Sequence, residues 1–396
     1  MLARLGLTPY AFRATTAYYW SFTALGLSQI SLGPALPFLA DQLQVSLAQA
    51  SLLVTTRAAG FLVGSFLAGR LADRGRPHGM LQVCAAAAAA LTLAIPHVPL
   101  FWWLAGLLIV VGLLEGTLDI GFNVLIVWLF RHRVAPYLTG LHFVWGIGAL
   151  LAPLVIVFFH DLTGDLAASY AVIALGLLSV SFAYVRLPSP EPARQRHEAR
   201  YPLSPWPMFL LAAMMFLAAG LQLSVSTWLL AYILELDLTD EVTGGLINSE
   251  LFLGIIATRL VSVPLLRRVS IARLVAVSLL FVTLGCLAVL AFPQSLPVLH
   301  TAVIVIGVGF ANLFPGSLNL APRYLPAEGR VTSYMYIGSG AAFFVTPWIT
   351  GQLFDSIGPH VIWFLALGGT ATFMLLLVLL VRVPRYRGPG AAGARQ

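Results

Sequence analysis

Apolar stretches long enough to cross a bilayer follow one another along nearly the whole chain, with short polar breaks between them. A hydrocarbon core of about 30 Å takes roughly 20 apolar residues per helix. Windows of that length fall near residues 12–39, 47–71, 79–97, 100–130, 136–159, 166–187, 206–234, 242–266, 271–292, 298–321, 330–354 and 360–382. The first is too long for a cleavable signal peptide and lacks a small-residue cleavage site before a polar mature region. With 59% hydrophobic and 9% charged residues, the chain has about a third of the charge that a water-facing surface of its size needs. It reads as a polytopic helical membrane protein.

The charges test the count. All 22 basic residues are arginine. Most gather at Arg4, at Arg70, Arg74 and Arg76, at Arg131 and Arg133, between Arg186 and Arg200, around Arg267, Arg268 and Arg273, at Arg323 and Arg330, and from Arg382 to Arg395. The alternate loops hold Asp41, Asp161, Asp165, Glu235, Asp237, Asp240, Glu241 and Asp355 and no arginine. The positive-inside rule therefore puts both termini and the arginine loops in the cytoplasm, in a multi-pass protein of the cytoplasmic membrane. A wrong span count would scramble the alternation. Dispersed in short loops, the arginines form no nucleic-acid surface.

The longest polar stretch, Pro188–Pro205, is rich in Pro, Arg and Glu and divides the spans six and six. The expected organisation is an N-terminal bundle over 1–187, a flexible cytoplasmic linker over 188–205 and a C-terminal bundle with a short tail over 206–396. Cys84 and Cys286 sit inside apolar runs, so neither a disulfide framework nor a Cys-rich metal site is expected. Histidines without ligand spacing point to no metal, and no cofactor is implied. A chain without lysine has no Walker lysine, which excludes ATP-driven transport by this polypeptide. It carries no Gly-x-Ser-x-Gly elbow and no His-Glu-x-x-His. No enzyme is expected.

A charge at mid-bilayer costs about 2.5–3.5 kcal/mol even on the lenient insertion scale, so each one needs a reason. Five fall away from the span ends: Arg57, Glu115, Asp119, Glu250 and Arg259. Glu115 and Asp119 lie four residues apart on one face of span four, and Asn123 extends that face by a turn. Depth along the spans puts Arg57 level with Glu115, and Asp119 about 6 Å further in at 1.5 Å per residue. Arg57 is expected to pair with Glu115 or Asp119. An inert buried pair that fixes helix register would explain the two charges alone. Two carboxylates against one arginine leave one without a counter-charge, and taking up and releasing a proton there is what a proton-coupled carrier requires. Arg259 is either an interface anchor or a functional charge, and Glu250 faces either a cavity or the outer interface.

An uncharged polar set also interrupts the apolar runs: Gln29, His142, Trp145, Gln222, Trp228, Asn312 and Asn319. Singly, such residues serve as helix–helix hydrogen bonds or belt residues. Drawn from spans one, four, five, seven and ten together, with Asn123 and Glu250, they read as the lining of a substrate cavity. Amides suit sugar hydroxyls, and an indole suits the apolar face of a pyranose.

At Gly69-Arg-Leu-Ala-Asp-Arg-Gly-Arg76 the chain resembles the signature loop of the major facilitator superfamily, one residue shorter than usual. The resemblance implies twelve transmembrane helices in two six-helix bundles. It also implies a cytoplasmic charge gate at Gly69, Asp73, Arg74 and Arg76, with which Arg259 is grouped. Leu118-Asp-Ile-Gly-Phe-Asn123 looks like the Leu-acidic-x-x-x-Asn element of fucose permease-like carriers, in which the acid is linked to proton coupling. Leu141-His-Phe-Val-Trp-Gly-Ile-Gly-Ala-Leu-Leu-Ala-Pro153 is similar to the same branch, with His142 at its substrate position. Arg259-Leu-Val-Ser-Val-Pro264 and Asn312-Leu-Phe-Pro315 resemble sodium-dependent glucose transporter-like members. The fucose permease has an aspartate inside span one; this chain offers Gln29 and Ser31 there.

The expectation is a monomeric secondary transporter in membrane lipid, moving a small polar solute such as a sugar by alternating access. Protons would be coupled through Asp119, with Glu115 and Arg57 beside it. Sodium coupling and proton-driven export are the alternatives. Against export, Ala152-Pro153-Leu154-Val155 stands where exporters carry Gly-Pro-x-x-Gly-Gly. A receptor or scaffold would usually carry a soluble interaction domain, and the linker and tails are short.

Overall fold

The computed structural model describes residues 8–72, 77–185, 187–191, 203–265, 269–326 and 329–386. They form α1 (Pro9–Leu43), α2 (Leu47–Ala72), α3 (Pro77–Ala94), α4 (Phe101–Phe130), α5 (Val134–Thr163), α6 (Ala167–Ala183) and α7 (Pro205–Glu235). Then come α8 (Glu241–Leu265), α9 (Ile271–Ala291), α10 (Leu296–Phe310), α11 (Leu313–Leu320), α12 (Gly329–Ile357) and α13 (Val361–Arg382). Among the described residues there is no strand. In hydrocarbon every backbone N–H and C=O must be satisfied within its own segment, and an apolar helix does that. Ten helical stretches among these residues are long and apolar enough to cross a membrane. With the 17 residues of α6 and the 29 of α12, the twelve spans are complete.

Helix ends follow local chemistry. Thr8 caps α1 by accepting from the Ala11 N–H at 3.1 Å, and Pro9 takes the first helical position, where no N–H is needed. The expected span 298–321 is broken into α10 and α11 by a turn at Ala311–Asn312. Pro315 contributes: it has no N–H for the Ala311 carbonyl, and its ring crowds that carbonyl. The helix resumes with the Gly316 N–H on the Asn312 carbonyl at 2.8 Å.

By contacts the chain falls into two compact units. One comprises Met1–Gln195, Ser226–Phe252 and Gly351–Pro359. Within it α2 lies backbone to backbone against α4. A Cβ on Gly60 or Gly64 would strike carbonyls of α4, and one on Gly112 or Gly116 would strike those of Arg57 and Phe61. Gly26 and Gly148 allow the same approach of α1 to α5. The ends of α7, α8 and α12 are held in this unit by specific bonds. The Ala48 N–H donates to Asp355 at 3.0 Å, His160 meets Glu241 at 2.8 Å, and Gly33 rests on the backbone of Thr227. An aromatic cluster of Tyr18, Phe22, Phe122 and Tyr184 fills another part of its core.

The other unit comprises Arg196–Val225, Leu253–Thr350 and His360–Gln396. Here α9 packs on α10 through Gly285 and Gly309, and Ser224 is hydrogen-bonded to Thr350 at 2.7 Å.

Candidate functional site

The close approach of α2 to α4 sets Arg57 directly against Glu115. The Arg57 Nε donates to Glu115 Oε2 at 2.8 Å and one terminal nitrogen donates to Oε1 at 2.5 Å. That nitrogen also reaches the Ser28 carbonyl of α1 at 2.7 Å, and the Ser28 hydroxyl donates to Glu115 Oε1 at 2.6 Å. The other terminal nitrogen approaches the Gln29 carbonyl at 3.4 Å. With Arg57 7% and Glu115 1% exposed, the pair is sealed and both carboxylate oxygens are taken. Ser28, absent from the residues singled out in the sequence, completes it. Its signal was weak: a hydroxyl one position before Gln29, on a helix with two other serines, Ser21 and Ser31.

One turn along α4, Asp119 is half-buried in a different setting. Gln29 Nε2 donates to Oδ2 at 3.3 Å. Asn123 Nδ2 donates to Oδ1 at 3.2 Å and to the Asp119 carbonyl at 2.9 Å. Beyond Gln29, the Trp145 Nε1–H of α5 donates to Gln29 Oε1 at 2.7 Å. The four residues, from α1, α4 and α5, are all half-buried. Asp119 has no cation: among the described residues its partners are the two amides. A carboxylate faced by N–H groups suits a proton, which needs one amide to turn.

The other candidates are dispersed. His142 is exposed, with its ring edge-on to Phe22 at 5.6 Å between centroids. Glu250 is half-buried on α8 in the same unit. Trp228 is wholly enclosed, its ring tilted against Phe354 at 5.0 Å between centroids, with Gly351 against it. In the second unit Gln222 is half-buried, Asn319 is exposed, and Asn312 sits at the α10–α11 break with its Nδ2 3.4 Å from the Ser278 hydroxyl. Arg259 is half-buried there, without a hydrogen-bonded or ionic partner among the described residues. Of the expected gate, Gly69 lies in the last turn of α2, while Asp73, Arg74 and Arg76 lie outside the described residues.

A second polar cluster was not anticipated. His78, at the start of α3, receives the Tyr18 hydroxyl at Nε2 (2.8 Å), and its Nδ1 meets the Leu187 carbonyl at 2.9 Å. Tyr184 lies tilted beside it and bonds Ser21 at 2.5 Å. A lone histidine beside a loop carries no sequence signal for such a partner set.

The pattern of the Major Facilitator Superfamily matches residues 18–332 and 252–396, nearly the whole chain. Sodium-dependent glucose transporter 1A of Mus musculus is 24% identical over 376 residues, covering 85% of this chain and 88% of its own. Sodium-dependent glucose transporter 1 of Homo sapiens is 33% identical over 134 residues, 34% of this chain and 26% of its own. Among solved structures, a mutant of the nucleoside transporter NupG aligns at a TM-score of 0.76 with 14% identity, over 94% of this chain and 100% of that one. An inward-facing, unoccupied bacterial homologue of the human lysosomal transporter Spinster aligns at 0.72 with 14% identity, over 95% of each chain. These structural likenesses carry the fold. A multi-pass membrane transporter of small solutes, and not an enzyme, the chain belongs to the major facilitator superfamily.

Proposed function

We propose that the chain is a proton-coupled carrier of a neutral sugar or related polyol, with Asp119 as the group that takes up and releases the proton. One observation carries the reading. Asp119 is a carboxylate within a membrane span whose partners are the amides of Gln29 and Asn123, because the arginine at that level, Arg57, is committed to Glu115. An ionised carboxylate without a counter-charge is costly in such a place, and a proton removes the cost. The names of its glucose-transporting relatives support the sugar class. The bundles over 1–187 and 206–396 would rock about the site in the cytoplasmic membrane, with both termini on the cytoplasmic side and the protein acting as a monomer.

Sodium is the second reading, since those relatives are named sodium-dependent. The N–H groups on both oxygens of Asp119 favour the proton.

The test is uptake of a panel of labelled hexoses into proteoliposomes under an inward proton gradient, an inward sodium gradient, or neither. Stimulation by the proton gradient, lost in Asp119→Asn while exchange of sugar across the membrane persists, is the expected result. Stimulation by sodium alone moves the coupling ion. Accumulation retained in Asp119→Asn removes Asp119 from the mechanism. No hexose uptake under any gradient moves the reading to export of another solute.

A further inference from the structure

We propose that Gln29 is a positioning residue that ties the protonation of Asp119 to the setting of the Trp145 indole through rotation of its side-chain amide. The proposal rests on the proton-coupled reading above and adds the device by which the proton reaches the substrate face.

The logic is one of donors and acceptors. An indole N–H can only donate, and an ionised carboxylate can only accept. The Gln29 amide stands between the two, 2.7 Å from Trp145 Nε1 and 3.3 Å from Asp119 Oδ2. It therefore has one orientation that satisfies both, with its oxygen toward the indole and its NH₂ toward the carboxylate. An incoming proton has two places to go. On Oδ1 it meets the Asn123 N–H, and Asn123 is held, because its Nδ2 also donates to the Asp119 carbonyl at 2.9 Å. Turning Asn123 would press its oxygen against that carbonyl.

The proton therefore settles on Oδ2, forming one O–H bond there. Gln29 then rotates so that its Oε1 accepts from the new hydroxyl, and its NH₂ comes to face the Trp145 N–H, donor against donor. The 2.7 Å indole bond is given up, and the ring takes a new setting. No other covalent bond changes, and loss of the proton reverses the sequence. The main chain of Trp145 stays in place, because its carbonyl rests on Gly26 of α1. Only the side chain can respond.

The titratable groups carried deeper along the helices around Asp119 have neighbours of their own. Glu115 on α4 itself is bound by Arg57 of α2 and by Ser28. On α1, Tyr18 bonds His78 of α3 and Tyr19 bonds the Tyr137 carbonyl of α5. Cys84 of α3 packs on the aromatic cluster, and His142 of α5 lies against Phe22.

The experiment uses the full chain in nanodiscs without sugar and follows two signals on acidification. One is the infrared carboxyl band that Asp119→Asn removes. The other is the fluorescence component that Trp145→Phe removes. In the wild type the two should move along one titration curve. In Gln29→Met the carboxyl band should still titrate while the indole component no longer responds.

Asp119→Asn supplies an independent check. The new amide must turn its oxygen to Asn123 and its NH₂ to Gln29, so the indole should hold its acid setting at every pH. His142→Gln should leave the coupled titration intact. An indole that follows pH equally in Gln29→Met, holds its alkaline setting in Asp119→Asn, or loses its response in His142→Gln overturns the relay and leaves Asp119 as the proton site. A wild type in which the carboxyl band never titrates overturns the relay together with the proton-coupled reading.

Discussion

Glu115 and Asp119 sit one turn apart on the same face of α4, yet their surroundings are opposite. Glu115 is closed in by a two-pronged Arg57 and a serine hydroxyl, at 1% exposure. Asp119 is half-buried among amides that neutralise nothing. A carboxylate with a dedicated cation gains nothing from a proton. A carboxylate with only dipoles around it can exchange one for a change of hydrogen-bond direction. On the reading proposed above the first acid is framework and the second carries the proton, and what separates their surroundings is the arrangement of α2 against α4.

The largest effect that would sharpen this contrast comes from removing the cation. Arg57→Ala leaves Glu115 buried and unpaired and should cost about 3–5 kcal/mol of stability, read as a loss of thermal stability and of monodisperse protein in detergent. Replacing both partners, Arg57→Met with Glu115→Leu, should recover most of that loss, since a buried ion pair can often be exchanged for apolar packing at little cost. The double variant should also transport. A folded double variant that fails to transport would show that Glu115 is more than framework.

Next in size is the contact that makes the pair possible. A Cβ at Gly112 collides with the carbonyl of Arg57 itself, so Gly112→Val should push α2 from α4. Overpacking of that kind costs about 1–3 kcal/mol, and transport should fall with it. Smaller again is Asp119→Asn, which keeps the shape of the side chain and breaks no ion pair. Its melting temperature should stay close to the wild type, in contrast to Arg57→Ala. A melting temperature as low as that of Arg57→Ala would mean that Asp119 has a structural partner and would erase the contrast.

Much of this site was legible before any coordinates. The spacing of Glu115, Asp119 and Asn123 put all three on one face, because helix periodicity is local and strict. The choice between Glu115 and Asp119 as partner of Arg57 was not legible. Depth along a span resolves little better than a turn, and the choice depends on Ser28 and on glycines that let two helices touch. Trp228 and Trp145 looked alike as aromatic interruptions of apolar runs. One is sealed against Phe354 and the other bonds Gln29, a difference set by which face each helix turns inward. Helices that are apolar all round do not announce that face. The break at Ala311–Asn312 was encoded in part by Pro315 four residues later, but an apolar run of that length reads as one span.

The smallest effect concerns a third carboxylate, Asp240, exposed at the start of α8, and it extends the contrast to water. The Thr243 backbone N–H donates to its Oδ1 and the Thr243 hydroxyl to its Oδ2, both at 2.9 Å. These bonds hold its pKa below the ordinary value of 3.8, the backbone N–H contributing most. A group depressed in the folded state stabilises at pH above its unfolded value and loses that contribution as pH falls through the folded value. The Thr243 amide should therefore be protected from hydrogen exchange near neutral pH, beyond the intrinsic rate, and lose protection in acid below the ordinary carboxylate range. Asp240→Asn keeps an acceptor for the cap, since Asn and Asp cap helices about equally well, and should remove only the acid step. An acid step that survives in Asp240→Asn would place the titration elsewhere. Solvent and two Thr243 donors satisfy Asp240 in its charged form, an arginine satisfies Glu115 in its charged form, and Asp119 is half-buried with two amide donors and no arginine among its partners in the described residues. Of the three acids compared, that leaves Asp119 as the one whose protonation would rearrange its neighbours rather than merely weaken a bond.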